Sequence, residues 1–506
     1  MGRSYYDVVV FGSETGPLAA GALLAHRGFR VLAVGDKKPF SEYNCYGYNF
    51  SDRPFTMTAA ASPVISRIMG ELSLTQMYNR IRISENLPFQ VILPDARISF
   101  FNDPIKTRTE IEREFPKLKG MVDPKLREIA RLSTEIEKML NSDMVIPPES
   151  FFEKRAFSRS IIQNPFFNRP KTDIFELLDV SEKLKQILLA PVICHSGRTT
   201  TDSPISLSRQ LGSWLFDNDN LSLGIKSLNS LLTDKIIAEG GDVQDNFTIE
   251  HIVVNRNKVT GVKIKSREEI ISTSAVLTGK SPSELAQFIS VEDRNSKFKT
   301  LCEKSIQNSM GYSINLGINS EVIPKAMAQT VFIKPSRQLA NIQWLRIEQI
   351  PQKLENKIAL NISCTLKAEE KHLIFNGSLR DNILDTTREL IPFLDNYLEV
   401  IHSPFDNENA IVLNNELLKE ESSFLQLQKL KHDNWPIYHP KKDSYLGIEN
   451  NFHRTGIKGL ILSGEQVLSG IPLEGAFIAA WGAAKIISKD DPAPQRITRS
   501  IKNRLN

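Results

Sequence analysis

The chain lacks any uninterrupted apolar run of the roughly 18–20 residues needed to cross a bilayer; even Ala19–Leu24 is soon followed by His26 and Arg27. Cysteine is scarce, with four in 506 residues: Cys45, Cys194, Cys302 and Cys364. They are scattered, with neither C-x-x-C nor zinc-ligand spacing, which fits buried thiols in a reducing cytosol rather than a disulfide framework. Excess charge is also small. The 63 Lys and Arg against 59 Asp and Glu leave a net +4, too little to mark a nucleic-acid binder. The first apolar strand begins within seven residues of Met1, leaving no room for a secretory leader, so a cytoplasmic protein is expected. No internal repeat is found.

Histidine chemistry is equally thin. His432, His439 and His453 lack ligand spacing, and no metal is expected. Cys194-His195-Ser196 suggests a nucleophile beside a base, but sequence neighbours seldom share a catalytic geometry. The reading here is a core cysteine beside a turn histidine, and no residue is assigned a catalytic role.

What the chain does have is concentrated at its start. In residues 8–35, VVVFGSETGPLAAGALLAHRGFRVLAVG, Val8–Phe11 is a short apolar strand ended by Gly12. An Ala/Leu-rich helix follows (Leu18 to Leu24), then the stop Arg27-Gly28 and a second strand, Val31–Val34. This is the outline of a strand–turn–helix–strand dinucleotide site. Such a unit opens its helix with three glycines, for the tight turn, for close approach of a pyrophosphate and for helix–strand packing. Here the three positions hold Gly12, Glu14 and Pro17, with Ser13 and Gly16 between them. Gly35 stands where an acid should hold the ribose, and Asp36 follows one residue late.

The substitutions carry a cost. A carboxylate about 4 Å from a phosphate charge is repelled by roughly 1 kcal/mol in water and about 4 kcal/mol at a near-surface dielectric. Losing the ribose acid forfeits about 1.5–3 kcal/mol. Pro17 is tolerated in a first helical turn, where its missing N–H has no partner anyway. The scaffold can therefore persist while tight dinucleotide binding does not.

Further along, Pro39–Pro54 reads as loop. Leu87–Phe101 reads as two strands around Pro94-Asp95, and Lys106–Ser142 as charged helix. In that helix Leu126, Ile129, Leu132, Ile136 and Met139 share one face, and Asp123-Pro124 is a cap-like start. Pro147–Pro170, aromatic and proline-rich, reads as a loop or cap segment. Leu184–Ile193 and Ile205–Phe216 look like buried helices. Ile249–Asn255, Val259–Lys265 and Ile270–Thr278 form a meander, and strands dominate from Asn308 to about Thr365. Asp385–Ile401 reads as helix broken at Pro392. Gly459–Ser463 is a strand, Gly464-Glu465 a turn and Leu473–Ser488 an apolar helix. In the tail Asp491–Asn506, Arg496, Arg499, Lys502 and Arg504 alternate with Ile497, Ile501 and Leu505. That pattern suits an anionic membrane surface or an acidic protein groove.

Four stretches carry a family resemblance: residues 7–35; Tyr46–Ala61 (YGYNFSDRPFTMTAAA); Gly240-Gly241 through the meander to Gly279; and residues 460–487 (LILSGEQVLSGIPLEGAFIAAWGAAKII). In these the chain resembles the phytoene desaturase and carotenoid isomerase branch of the FAD-dependent amine-oxidase-like flavoproteins. The resemblance implies an α/β (α+β overall) architecture. A Rossmann-like FAD-type domain is built from discontinuous segments (1–80, 216–295 and 441–490), and a substrate domain of mixed sheet and helices comprises 81–215 and 296–440. Residues 491–506 form a basic tail. It also implies an apolar tunnel, lined in part by Leu473–Ala480 and by the apolar residues of Val91–Phe101. Gly464, Glu465, Gly470, Gly475 and Ala476 keep the outline of the closing flavin-contact loop and helix, and Ile249 sits where backbone would meet adenine.

The departures cluster at the cofactor. Besides Glu14, Pro17 and Gly35, the family's G-G-R segment is absent, since Lys37–Cys45 reads KKPFSEYNC, and Glu474 falls beside the expected flavin ring. The residual site is therefore Gly12, Ser13, Glu14, Gly16, Gly35, Asp36, Ile249, Gly464, Glu465 and Gly475, binding no FAD or only weakly held FAD. The expectation is a non-catalytic binding or scaffold protein for an apolar ligand or a protein partner. It makes no nucleic-acid contact, has no transmembrane segment, and uses the basic tail for any peripheral membrane or protein contact. The Rab GDP-dissociation inhibitors and escort proteins are a fold-level analogy for such a role. The alternative is an FAD-dependent desaturase, saturase or isomerase of a polyene, isoprenoid or lipid.

Overall fold

The computed structural model describes residues 5–35, 42–54, 58–83, 88–163, 175, 179–196, 204–217, 220–221, 224–265, 270–305, 309–336, 342–376, 378–405, 409–413, 435–439 and 447–490. Asp36, His432 and the basic tail lie outside these.

Two sheets organise them. The first has seven strands in the order Ile249–Asn255, Lys258–Ile264, Ile270–Thr278, Tyr5–Phe11, Val31–Val34, Asp242–Gln244, with Leu460–Leu462 alongside Ile270–Thr278. Its central pairings are parallel, Val8 beside Val31 and Ala275 beside Val8. Parallel strands bury both faces, which is why Val8–Val10 and Val31–Val34 read as unbroken apolar runs. The opening helix Thr15–His26 and the closing helix Pro472–Asp490 pack against each other over this sheet, and the helix Gly224–Ala238 packs against the opening helix from another side. Val8, Leu23, Val31, Leu232, Phe477 and Ala480 share one core.

The second sheet has nine strands, ordered Ile411–Val412, Leu398–His402, Ser309–Asn319, Lys357–Lys367, Leu345–Pro351, Thr330–Ile333, Phe89–Leu93, Ala96–Phe100, with Pro436–Ile437 beside Ser309–Asn319. One face packs Ile314, Leu316, Ile347 and Ile362 against the helix Ser378–Leu390. The fold is an FAD-type α/β arrangement with a second, mixed-sheet region. Among the described residues no helix is long and apolar enough to cross a membrane.

The expected strand–turn–strand at 87–101 is present, as are the helices near 184–193 and 205–216, the meander and the closing helix. Leu126, Ile129, Leu132, Ile136 and Met139 are all buried on the helix Val122–Leu140, which starts one residue ahead of Asp123 without a side-chain cap. Three readings need correction. Residues 39–54 are not simply loop: Glu42–Cys45 and Tyr48–Ser51 pair as a hairpin. Its turn puts both Tyr46 (φ 49°) and Gly47 (φ 80°) in the left-handed region, a primed turn disguised by tyrosine where Asn or Asp is usual. Phe151–Gln163 is a helix rather than loop. Ser150 and Glu153 form a capping box, with Glu153 Oε2 accepting from the Ser150 N–H (2.8 Å) and Ser150 Oγ from the Glu153 N–H (3.3 Å). Asp385–Ile401 is not one kinked helix. The helix stops at Leu390, before Pro392, and Leu398–His402 is a strand on the second sheet.

Candidate functional site

The site is built on the turn after the first strand. Gly12 has φ +111°, a conformation open chiefly to glycine. Glu14 caps the opening helix with extended backbone (φ −71°, ψ 152°) and no side-chain bond to the helix N–H groups. Its carboxylate folds back over Gly12 and against Gly279; a methyl group on Gly279 would lie 2.9 Å from Glu14 Cδ and 3.0 Å from Oε2. The Glu14 carboxylate thus fills the hollow that two side-chain-free glycines create. The turn is fixed from behind by Asn229, which accepts from Thr15 Oγ1 (2.8 Å) and donates to the Ser13 carbonyl (3.1 Å).

The other glycines meet backbone. A methyl on Gly16 would lie 2.6 Å from the Ser463 carbonyl oxygen, and one on Gly464 would lie 3.0 Å from Gly279 Cα. Gly475 faces the carbonyl of Leu468 in the same way. The helix start, the end of Ile270–Thr278 and the loop after Leu460–Leu462 therefore converge on Glu14. Gly35, ending the second strand, faces Asp245, whose Cα would be 3.3 Å from a methyl there. Sequence reasoning missed Asp245, because only the pairing of Asp242–Gln244 with Val31–Val34 brings it to that strand end. Ile249 starts the outer strand of the meander with its side chain buried in the core.

A second omission is Arg53. Its guanidinium lies over the Trp435 indole, 5.9 Å from the ring centroid. Burial pulls its pKa down, but Asp52, Glu465 and Glu14 outweigh that and hold it above the usual arginine value. Arg53 is a cation in electrostatic reach of Glu14 and Glu465, and Lys280, buried next to Gly279 with its Nζ 4.9 Å from the Phe11 ring centroid, is another beside the turn. The one sequence signal for Arg53 was a lone arginine beside Asp52 in a stretch read as loop. In the adjoining loop, Ser463 Oγ and Gln466 Oε1 are buried without a hydrogen-bond partner among the described residues.

Glu474, expected beside a flavin ring, is engaged elsewhere. It is 2% exposed and accepts from Ser62 Oγ (2.5 Å), Arg209 Nε (2.8 Å) and Arg209 Nη2 (3.0 Å). Arg209 also donates to Ser133 Oγ (3.0 Å) and Glu137 Oε1 (2.9 Å). Burial lowers the Arg209 pKa, but the carboxylates, Glu474 foremost, drive it above its ordinary value. This ion cluster ties the closing helix to the helices Val122–Leu140 and Pro204–Phe216.

The expected apolar lining takes a different form. Leu473, Phe477 and Ala480 are packed in the first core, and Val91, Ile98 and Phe100 pack with Trp214 and Phe332 in another cluster. The remaining buried face of the second sheet carries polar rows in register across neighbouring strands. One is His402–Asn315–Asn361–Glu348–Thr330 and the next Ser313–Ser363–Arg346. Asn315 and Asn361 both donate to the Ser51 carbonyl, at 2.8 and 2.9 Å, so the 42–51 hairpin docks on this row. Arg346 and Glu348, each 1% exposed in the side chain, pair at 2.6 Å.

The remaining candidates lack reactive geometry. Burial pushes the Cys194 thiol up to about 12, away from the thiolate a nucleophile needs, and the His195 side chain lies outside the described residues. His439 Nε2 sits 2.8 Å from Ser309 Oγ, and the His453 nitrogens lie 2.9 and 3.0 Å from the carbonyl oxygens of Leu462 and Ile146. Among the described residues no group of three or more His, Cys, Asp or Glu could hold a metal.

The fold and the position of this turn define the class: the FAD-type oxidoreductase architecture. No protein-family model matches the chain, and no curated protein matches its sequence. Solved structures do match. An oxidoreductase from Methanosarcina mazei is 15% identical with a TM-score of 0.60, covering 95% of this chain and 99% of that one. Cyclohexylamine oxidase from Brevibacterium oxydans is 10% identical with a TM-score of 0.55, covering 96% and 99%. Putrescine oxidase bound to putrescine is 13% identical with a TM-score of 0.53, with the same coverage. At these identities the likeness shows the fold.

Proposed function

We propose that this chain keeps the flavoprotein architecture without FAD as its redox group and serves as a binding or scaffold protein. The observation that carries this is the Glu14 carboxylate seated over Gly12 and against Gly279. A dinucleotide bound in the usual way rests its pyrophosphate on the turn glycine and the helix N-terminus. Here that hollow holds a carboxylate whose charge is answered by Arg53. The residues present do not fit the cofactor, so no step is routed through it. The closing helix supports the same reading, because Glu474 is committed to Arg209. Of the two occupants the sequence suggests, a protein partner is favoured over an apolar ligand. The apolar residues expected to line a tunnel pack as core, and the central strands of the second sheet bury polar rows that give way to Phe89, Val91 and Phe332 at one end.

The purified protein, expressed without added cofactor, is expected to be colourless in the visible range. FAD titration is expected to leave its melting temperature unchanged. Flavin absorption that appears in the supernatant on denaturation would overturn the reading. It would favour the FAD-dependent oxidoreductase alternative, for which Asp245 beside Gly35 offers a ribose acid in place of the missing one.

A further inference from the structure

The helix Phe151–Gln163 presents a surface the dinucleotide seat does not use. Its inner side is pinned: Phe157 and Ile161 enter the core, and Glu153 pairs with Arg454 at 2.8 Å. Its first turn faces outward, with Phe151 71% and Phe152 76% exposed and their rings in edge contact at 5.7 Å. At 3.6 residues per turn, Phe151, Arg155, Arg159 and Phe152 fall within one arc of about 100°, and all four are exposed. Lys154, also exposed, flanks the arc. The acids of the stretch do not neutralise this face, because Glu149 and Glu153 are both engaged on Arg454.

Two solvated phenyl rings on a rigid helix, beside cations that make no ion pair among the described residues, are the chemistry of an interfacial contact. The rings enter the boundary between headgroups and acyl chains while guanidinium and ammonium groups meet lipid phosphates. We infer that this face docks the protein on an anionic phospholipid surface. The charge complementarity selects the lipid: three cations, with Glu149 and Glu153 both held by Arg454, fit a negatively charged leaflet, and a zwitterionic one gives them little.

The test is co-sedimentation of the full chain with phosphatidylcholine vesicles, with and without about one-third phosphatidylglycerol. Each cation near such a surface contributes roughly fivefold, so the anionic vesicles are expected to bind on the order of 100-fold more tightly, falling as salt is raised. The double variants F151S/F152S and R155E/R159E are each expected to weaken binding by at least about tenfold. Both change exposed side chains only, so unchanged thermal melting serves as the control. Equal binding to neutral vesicles, no binding to anionic ones, or binding that survives both variants would each overturn the inference. So would self-association in lipid-free light scattering that disappears in F151S/F152S, since the face would then belong to a second copy of the chain.

Discussion

Replacing Glu14 with glycine should create an FAD affinity that the natural chain lacks. The side chain fills the hollow over Gly12 and Gly279, so its removal does two things. It reopens the space, and it removes an anion lying about 4 Å from any seated phosphate, worth roughly 4 kcal/mol at an effective dielectric of 20. Arg53, now held by Glu14, Glu465 and Asp52, would then face the phosphate with one competitor fewer. The expected gain is on the order of a thousandfold in Kd. E14Q separates the two contributions, since it removes the charge and keeps the bulk. The expected order of affinity is wild type, then E14Q, then E14G. Quenching of flavin fluorescence on titration measures it directly. Glu14 makes no side-chain cap hydrogen bond, so the stability cost should reflect the lost charge at the helix N-terminus and beside Arg53, on the order of 1–2 kcal/mol. If E14G and E14Q bind FAD no better than wild type while remaining folded, the electrostatic reasoning is wrong. If wild type already binds at nanomolar concentration, the steric reasoning is wrong.

Two further perturbations test the surroundings. R209M strands the buried Glu474 carboxylate and should cost about 3–5 kcal/mol in chemical denaturation, whereas R209M/E474L should recover most of it; a single-variant loss under about 1 kcal/mol would show the cluster to be energetically idle. His402, hydrogen-bonded to Tyr43 Oη at 2.8 Å, is pushed down to about 4, chiefly by burial and then by Arg380. The unfolded side chain protonates near 6.5, so the contribution is whole above that pH and is lost as the pH falls toward 4. In H402N the slope of stability against pH in that window should flatten by up to about 1.4 kcal/mol per unit, and an unchanged slope would show that His402 is not held neutral.

The first βαβ unit, the meander and the closing helix were legible because their signals are local: apolar runs of strand length, an Ala/Leu helix, and glycines at element ends. The hairpin at 42–51 was hidden by a tyrosine in a left-handed turn position, and the helix at 151–163 by the prolines ahead of its capping box. The site was legible only in half. Glu14 announced itself as a charge in the wrong place, but the charge that compensates it could not be read, because Arg53 arrives from a separate segment. Asp245 arrives through a strand pairing, and Arg209 from a helix 265 residues before Glu474. Ion pairs that close across the fold leave no spacing in the sequence.

The glycines mark where fold and ligand make separable demands. A side chain on Gly16 would strike the Ser463 carbonyl, and one on Gly464 would strike Gly279. The crossing of three backbone segments therefore needs these residues whatever occupies the hollow. Glu14 stands at a position of the turn outside that crossing, with its carboxylate over Gly12 and against Gly279. A chain relieved of cofactor binding can thus change that position without disturbing the sheet, and a carboxylate there is stabilised twice, by the helix N-terminus and by Arg53. Substitution by lysine distinguishes this account from simple tolerance. E14K sets a cation against both the helix N-terminus and Arg53, so it should lower stability by more than E14Q does; equal melting temperatures for the two would mean that the position is merely permissive.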